Sequence, residues 1–104
     1  MIEGIKDDKG KTRLDLLPPE LMIAVGDILT FGAEKYGERD WERGMDWGRC
    51  YAAMQRHMLA WWAGEASDPE TGKSHLHHAG ACLAFLIAYE ARGTGKDDRP
   101  GAGT

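Results

Sequence analysis

The segment that most constrains the fold of this chain is residues 74–92, where apolar side chains recur at helical spacing on two opposite sides. Ser74 can cap the start of such a helix, and successive positions advance about 100° around its axis. One side carries Leu76, Gly80, Leu83 and Ile87, and the nearly opposite side carries His75, His78, Cys82, Phe85 and Tyr89. A helix that is apolar on opposite sides must be covered on both. The sequence therefore predicts a central helix that lies between other elements.

Two further helices are predicted before this one. Pro18 and Pro19 favour a helix start, because a proline in the first turn forfeits no hydrogen bond, and apolar spacing continues the helix to about Lys35. Asp46 can cap a second helix that Gly64 ends. The stretch between them, ERDWERGMDW, has no helical period, and a loop of this length is usually functional or disordered. We therefore predict an all-α chain with three main helices.

The 104 residues predict a single helical domain with two polar ends. We assign residues 1–17 to an extended N-terminal arm, residues 18–92 to the helical domain and residues 93–104 to a low-complexity tail that is expected to be mobile. A folded unit of this size buries little apolar surface, so it often needs a metal ion or a subunit interface. Because three helices can hardly cover both apolar sides of the third, we expect a homo-oligomer, a dimer or a tetramer, to complete the bundle.

The charge balance excludes some classes of partner. Seventeen acidic and 13 basic side chains give a net charge of −4, whereas a protein that binds duplex nucleic acid or a membrane surface carries a basic field. The longest apolar stretch, residues 79–89, is too short to cross a bilayer, and residues 1–11 lack the apolar run of a signal peptide. Cys50 and Cys82 have no CxxC spacing and are expected to be buried reduced thiols. This composition fits a cytoplasmic protein with a small phosphorylated ligand.

A cluster of histidines and carboxylates between the second and third helices is the main candidate site. His75 and His78 are three positions apart and thus neighbours on one helix face, and His57 lies on the preceding helix. The polar connector between the helices contributes Glu65 and Asp68. Imidazole nitrogens with carboxylate oxygens suit divalent ions, and the share of acids favours Mg²⁺ or Mn²⁺. We predict these five side chains as metal ligands, with Glu65 also a candidate to deprotonate an attacking water.

A structural role for the same residues stays open. Histidines near a helix start can simply hydrogen-bond the backbone, and acids in a turn can cap the following helix. The spacing matches no strong zinc pattern. What favours a site is that all four histidines of the chain lie within 22 positions, beside three acids.

A second group of candidates lies in the arm, at the end of the first helix and in the loop after it. Glu34 falls in a last helical turn, where the helix dipole disfavours an anion, and rules of this kind tend to be broken at functional sites. We therefore predict Glu34, like Glu65, as a catalytic carboxylate that could orient or deprotonate the attacking water. Cations in these segments could hold phosphates, and aromatic side chains could stack on a base. A frayed helix end and a charged arm that merely keeps the chain soluble are the alternatives. The residues predicted to bind substrate are Lys11, Arg13, Lys35, Tyr36 and Trp41.

Five linked motifs resemble one known family. They are KDDKGK-x-RLDLLPPE, FGAEKYGERDW, RH-x-LAW, GE-x-x-DPETG and HL-x-H, and the match that they carry runs from about Lys6 to Glu90. The set resembles the phage dATP/dGTP diphosphohydrolase N-terminal family, whose members are regarded as relatives of the MazG-like all-helical nucleotide pyrophosphohydrolases. The resemblance implies a MazG-like helical bundle that cleaves dGTP or dATP between the α- and β-phosphates. Such an enzyme would shape the purine deoxynucleotide pool of a phage.

The resemblance to the wider MazG-like group is incomplete. Those proteins carry an E-E-x-x-E block and a later E-x-x-D block on facing helices, whereas this chain has no E-E-x-x-E and its only E-x-x-D runs from Glu65 to Asp68. Site residues are therefore carried over only where the family's motifs match. A nucleotide-binding module without turnover and a structural dimerisation domain remain alternatives. The carried residues are Lys11, Arg13, Glu34, Lys35, Tyr36, His57, Glu65, Asp68, His75 and His78.

Overall fold

The computed structural model describes residues 9–102, which form three long α-helices with no β-strand among them. The helices are α1, Pro19–Tyr36; α2, Trp47–Trp62; and α3, His75–Arg92; two short 3₁₀ turns are Leu14–Leu16 and Asp40–Arg43. The all-α prediction with three main helices is confirmed. The first eight residues of the predicted arm and the last two of the tail lie outside the described range. In the described part, no helix combines the length and apolar character that a bilayer crossing requires.

Side-chain caps fix the starts of two helices, one of them not as predicted. At α3 the Ser74 hydroxyl accepts the N–H of Leu76 at 3.1 Å, as its sequence position suggests. At α2 the Asp46 carboxylate makes no capping hydrogen bond, and the N–H of Gly48 donates instead to Asp98 at 2.7 Å. The expectation for Asp46 is wrong, because a carboxylate that is distant in sequence already satisfies this N–H.

Residues 94–99, which we call the C-terminal latch, lie against the start of α2. The backbone N–H of Trp47 donates to the carbonyl of Lys96 at 2.9 Å, and its indole N–H donates to the carbonyl of Thr94 at 2.9 Å. Gly95 has a φ of +80°, and a Cβ there would overlap the backbone of the loop before α2. This position therefore requires glycine. The low-complexity composition of the tail does not reveal these contacts.

The central helix is α3, which packs against both α1 and α2. Its buried positions include Ala79, Ala81 and Tyr89. The Tyr89 hydroxyl donates to the carbonyl of Trp41 at 2.6 Å, and the Trp41 ring stacks on Phe85 with centroids 4.9 Å apart. These two contacts hold the polar loop between α1 and α2 against α3, so the loop has a defined conformation.

One apolar side of α3 is left uncovered by the described residues. Leu76, Leu83 and Ile87 lie on this side and are 42%, 49% and 61% exposed. The chain exposes 8013 Å² of surface, whereas a compact monomer of this mass exposes about 5,800 Å². Part of the difference belongs to the 3₁₀ turn before α1, where Leu14 and Leu16 are 69% and 70% exposed. The remainder includes the apolar side of α3 that the sequence assigns to another subunit.

Candidate metal centre

Three elements of the chain converge on one group of titratable side chains. His57 comes from α2, His75 and His78 come from α3, and Asp68 comes from the connector between them. The connector folds back on itself, because the N–H of Asp68 donates to the carbonyl of Lys73 at 2.8 Å. This turn places the Asp68 carboxylate between the end of α2 and the start of α3.

Four of the five predicted metal ligands lie close together. Nδ1 of His57 is 2.9 Å from Nδ1 of His75 and 4.0 Å from Oδ2 of Asp68. The other carboxylate oxygen of Asp68 is 4.0 Å from Nε2 of His78. The rings of His57 and His78 stack with centroids 4.6 Å apart. The fold thus gathers three imidazoles around one carboxylate, and we call these four residues the histidine cluster.

The spacing of the histidine cluster fits a divalent ion. The two Nδ1 atoms of His57 and His75 share a hydrogen bond of 2.9 Å. Ligand bonds of about 2.1 Å at right angles separate two donor atoms by about 3.0 Å, so an ion could take the place of the shared proton with little movement of the rings. One donor atom from each of His57, Asp68 and His75 lies within 4.8 Å of the other two. A donor set of two nitrogens and one oxygen suits Mn²⁺ better than Mg²⁺, which prefers oxygen alone.

The fifth predicted ligand, Glu65, lies on the far side of His75. Its Oε1 is 2.7 Å from Nε2 of His75, a residue that is only 4% exposed. An ionised carboxylate only accepts hydrogen bonds, so Nε2 of a neutral His75 carries the proton and Nδ1 keeps its lone pair. That lone pair accepts the proton on Nδ1 of His57, so His57 can bind a metal through Nδ1 only when its proton is on Nε2 instead. Glu65 therefore sets the tautomer of His75, as carboxylates behind metal-binding histidines commonly do.

The protonation states of His57, His78 and Asp68 at neutral pH suit a cation. Burial lowers the pKa of His57 and of His78 below the ordinary 6.5, although the nearby Asp68 carboxylate opposes this. Burial also acts to raise the pKa of Asp68, but the backbone N–H groups of Glu70 and Thr71 donate to its Oδ1 and bring the pKa below 3.8. Neutral imidazoles and an ionised carboxylate are the forms that ligate metals.

A cavity of about 910 Å³ opens beside the histidine cluster. The second half of α1, the loop that follows it and the first turn of α2 form its walls. His78 and Glu70 line the cavity, so it borders the cluster directly. Phe31, Met45 and Phe85 contribute apolar surface. A concave site of this volume with a few convergent polar groups can hold a nucleotide.

Part of the predicted substrate-binding set lies at this cavity. Tyr36 and Trp41 line it, and the Lys35 ammonium reaches its edge through an ion pair with Glu70, 2.7 Å from Nζ to Oε2. The Trp41 ring is already covered by its stack on Phe85, so Trp41 serves as a wall of the cavity. Tyr36 is 64% exposed and is the aromatic ring that remains accessible there.

The other predicted residues do not line the cavity. Glu34 is exposed on the last turn of α1 and does not line the cavity. Lys11 and Arg13 line a separate recess within the arm, where the Arg13 guanidinium pairs with Asp15 at 2.8 Å. The structure therefore brings the arm and the histidine cluster to different parts of the surface.

Two residues at the site were not predicted from sequence. The Thr71 hydroxyl lies 2.7 Å from Nε2 of His78, and Arg49 lines the cavity from the first turn of α2. Thr71 is a small polar residue in a turn and has no periodic or charge signal. Arg49 does have a signal, because the helix dipole disfavours a cation in a first turn.

The fold and the site define a small all-α protein with a histidine–carboxylate centre beside a nucleotide-sized cavity. Residues 2–99 match the family described as dATP/dGTP diphosphohydrolase, N-terminal, and the chain belongs to that family. A relative from Salmonella phage PMBT28, named dATP/dGTP diphosphohydrolase, is 35% identical over 96 residues, which are 92% of this chain and 33% of the relative. The chain thus spans about a third of the length of that relative. No solved structure matches this chain.

Proposed function

We propose that this chain is a metal-dependent pyrophosphohydrolase that cleaves dGTP or dATP to the monophosphate and pyrophosphate. The observation that carries the proposal is the contact between the histidine cluster and a nucleotide-sized cavity, which share His78. Family membership supports the substrate class, since the relative from Salmonella phage PMBT28 is named for dATP and dGTP. The reaction would remove ordinary purine triphosphates from a phage's deoxynucleotide pool and supply the monophosphates.

The ion that we propose is Mn²⁺ or Mg²⁺, held by His57, His75 and Asp68, with His78 at the cavity edge. The 2.9 Å separation of the two Nδ1 atoms supports this assignment, and the nitrogen donors favour Mn²⁺ of the two ions. Such an ion, when bound, neutralises phosphate charge and acidifies a water molecule at neutral pH. The ionised Asp68 supplies the negative charge that compensates a cation in this part-buried position.

The carboxylates predicted for catalysis take different roles in this proposal. Glu65 is a positioning residue, because it contacts the metal centre only through Nε2 of His75. Glu34, the other carboxylate predicted for catalysis, is proposed to accept a proton from the attacking water. It does not line the cavity itself but lies between Ala33 and Tyr36, which do. It adjoins Lys35, whose ammonium is at the cavity edge and would exchange Glu70 for a phosphate oxygen. The exposed ring of Tyr36 offers a surface on which a purine base can stack.

Product analysis tests this proposal directly. Purified protein incubated with dGTP and Mn²⁺ should release dGMP and pyrophosphate in equal amounts, and release of orthophosphate with dGDP would contradict it. His57→Ala should lower kcat/KM by more than the roughly 100-fold upper limit for loss of an outer partner of a metal site. His77→Ala is the control, because it also removes a histidine, from α3 instead of α2, and the buried Nδ1 of His77 has no partner in the described residues. Binding of dGTP without any product would instead identify a nucleotide-binding module.

A further inference from the structure

Several of the charged side chains that line the cavity are already paired with a charged residue of the protein. The Arg39 guanidinium lies 3.6 Å from Glu42, and Glu70 is occupied by Lys35. Arg49 also lines the cavity and is exposed, yet within residues 9–102 it forms neither an ion pair nor a hydrogen bond through its side chain. A guanidinium that faces a cavity without a protein partner has all of its donors available to a ligand.

The place of Arg49 in the fold is unfavourable for stability alone. It is the third residue of α2, whose first turn contains no acidic residue. A cation at this end of a helix is repelled by the helix dipole. The capping carboxylate of Asp98 is bonded to the N–H of Gly48 and not to the Arg49 side chain. Because no described residue pairs with the positive charge of Arg49, we infer that the charge has a functional reason.

We propose that Arg49 binds the terminal phosphates of the nucleotide, in a subsite at the opposite end of the cavity from the histidine cluster. The assignment rests on the proposed function, in which the reacting phosphate lies at that cluster. Arg49 and His57 are eight positions apart on α2, which corresponds to about 12 Å along the helix axis. An arginine side chain and a triphosphate chain together cover such a distance. The planar guanidinium donates two parallel hydrogen bonds to a phosphate, so it fixes the orientation of the chain as well as its charge.

Arg49→Met removes the guanidinium and keeps an unbranched side chain of good helix propensity. The KM for dGTP should rise about 10- to 100-fold, as expected for the loss of a charge-assisted contact, with a small effect on kcat. Affinity for inorganic tripolyphosphate, measured calorimetrically with Mn²⁺ present, should fall by a similar factor. Arg49→Lys should recover part of this affinity. The melting temperature of the ligand-free Arg49→Met protein should be unchanged or higher, whereas a structural role would lower it.

Arg43→Met is the matched control, because Arg43 pairs with Asp40 and does not line the cavity. It should leave both affinities within about twofold of those of the unsubstituted protein, because the guanidinium that it removes does not line the cavity. Equal tripolyphosphate affinity in the Arg49→Met and unsubstituted proteins overturns the proposal. So does a loss of dGTP affinity alone, since Arg49 would then contact the base. Absence of tripolyphosphate binding to the unsubstituted protein also overturns it.

These outcomes separate the phosphate subsite from the hydrolase activity. If the unsubstituted protein binds tripolyphosphate in an Arg49-dependent manner but releases no dGMP, the subsite stands and the hydrolase proposal is wrong. If it releases dGMP and the Arg49→Met protein does so with the same KM, the hydrolase proposal stands and the subsite is wrong.

Discussion

Replacing Glu65 separates an orienting role of this carboxylate from a direct role as a metal ligand. In the structure Glu65 contacts Nε2 of His75 at 2.7 Å, on the opposite side of the ring from the nitrogen that faces His57. A hydrogen bond to a charged group contributes about 1.5–3 kcal/mol when it is shielded from water. The Glu65 side chain is 57% exposed, so screening reduces this to roughly 1 kcal/mol, or about fivefold in an equilibrium constant.

We therefore expect Glu65→Ala to weaken Mn²⁺ binding by about five- to tenfold, the lower end of the range for outer partners of metal sites. Glu65→Gln should have a smaller effect, because its amide oxygen can still accept the proton on Nε2 of His75. Titration calorimetry with Mn²⁺ at neutral pH measures both. Glu90→Ala, which removes an exposed carboxylate from α3, should leave the affinity unchanged.

Two results would refute the reasoning. An unchanged Mn²⁺ affinity in Glu65→Ala means that the carboxylate does not orient His75. A loss of more than about 100-fold exceeds the range for outer partners and makes Glu65 a direct ligand, as the sequence pattern suggested.

Three further predictions concern pH, the latch and the uncovered side of α3. The pKa values of His57 and His78 lie below 6.5, so near that pH the unfolded chain binds more protons than the folded one. The melting temperature of the metal-free protein should therefore fall as the pH is lowered through 6.5. A melting temperature that does not change with pH in this range contradicts the burial of these imidazoles. Asp98→Ala removes the cap of α2 and should cost about 1 kcal/mol, or about 4–8 °C in melting temperature, whereas Asp97→Ala, which removes only an exposed pair with Arg99, should cost less. Sedimentation should show a dimer or tetramer of the unsubstituted protein. Leu83→Glu should dissociate this assembly, whereas Leu14→Glu, in the exposed turn before α1, should not. A monomeric unsubstituted protein would show that the uncovered side of α3 does not bind a second copy of the chain.

Local features of the sequence determined the helices and the spacing of the main ligands. Helical periodicity predicted all three helices, and Ser74 marked the start of α3 because an N-cap hydroxyl acts on an N–H only two residues away. The three-residue spacing of His75 and His78 placed both on one face for the same geometric reason. Interactions within one or two helical turns depend on a repeat that every α-helix shares.

Tertiary structure decided which of several equivalent groups occupies each position. Asp46 and Asp98 have the same side chain, and Asp98 caps α2 because the latch lies there. Glu65 and Asp68 are both carboxylates of one connector, but the fold of that connector places Asp68 among the imidazoles and Glu65 behind His75. These choices depend on how the latch and the connector fold against the helices. Sequence spacing does not encode these contacts, because they follow from how the three helices pack.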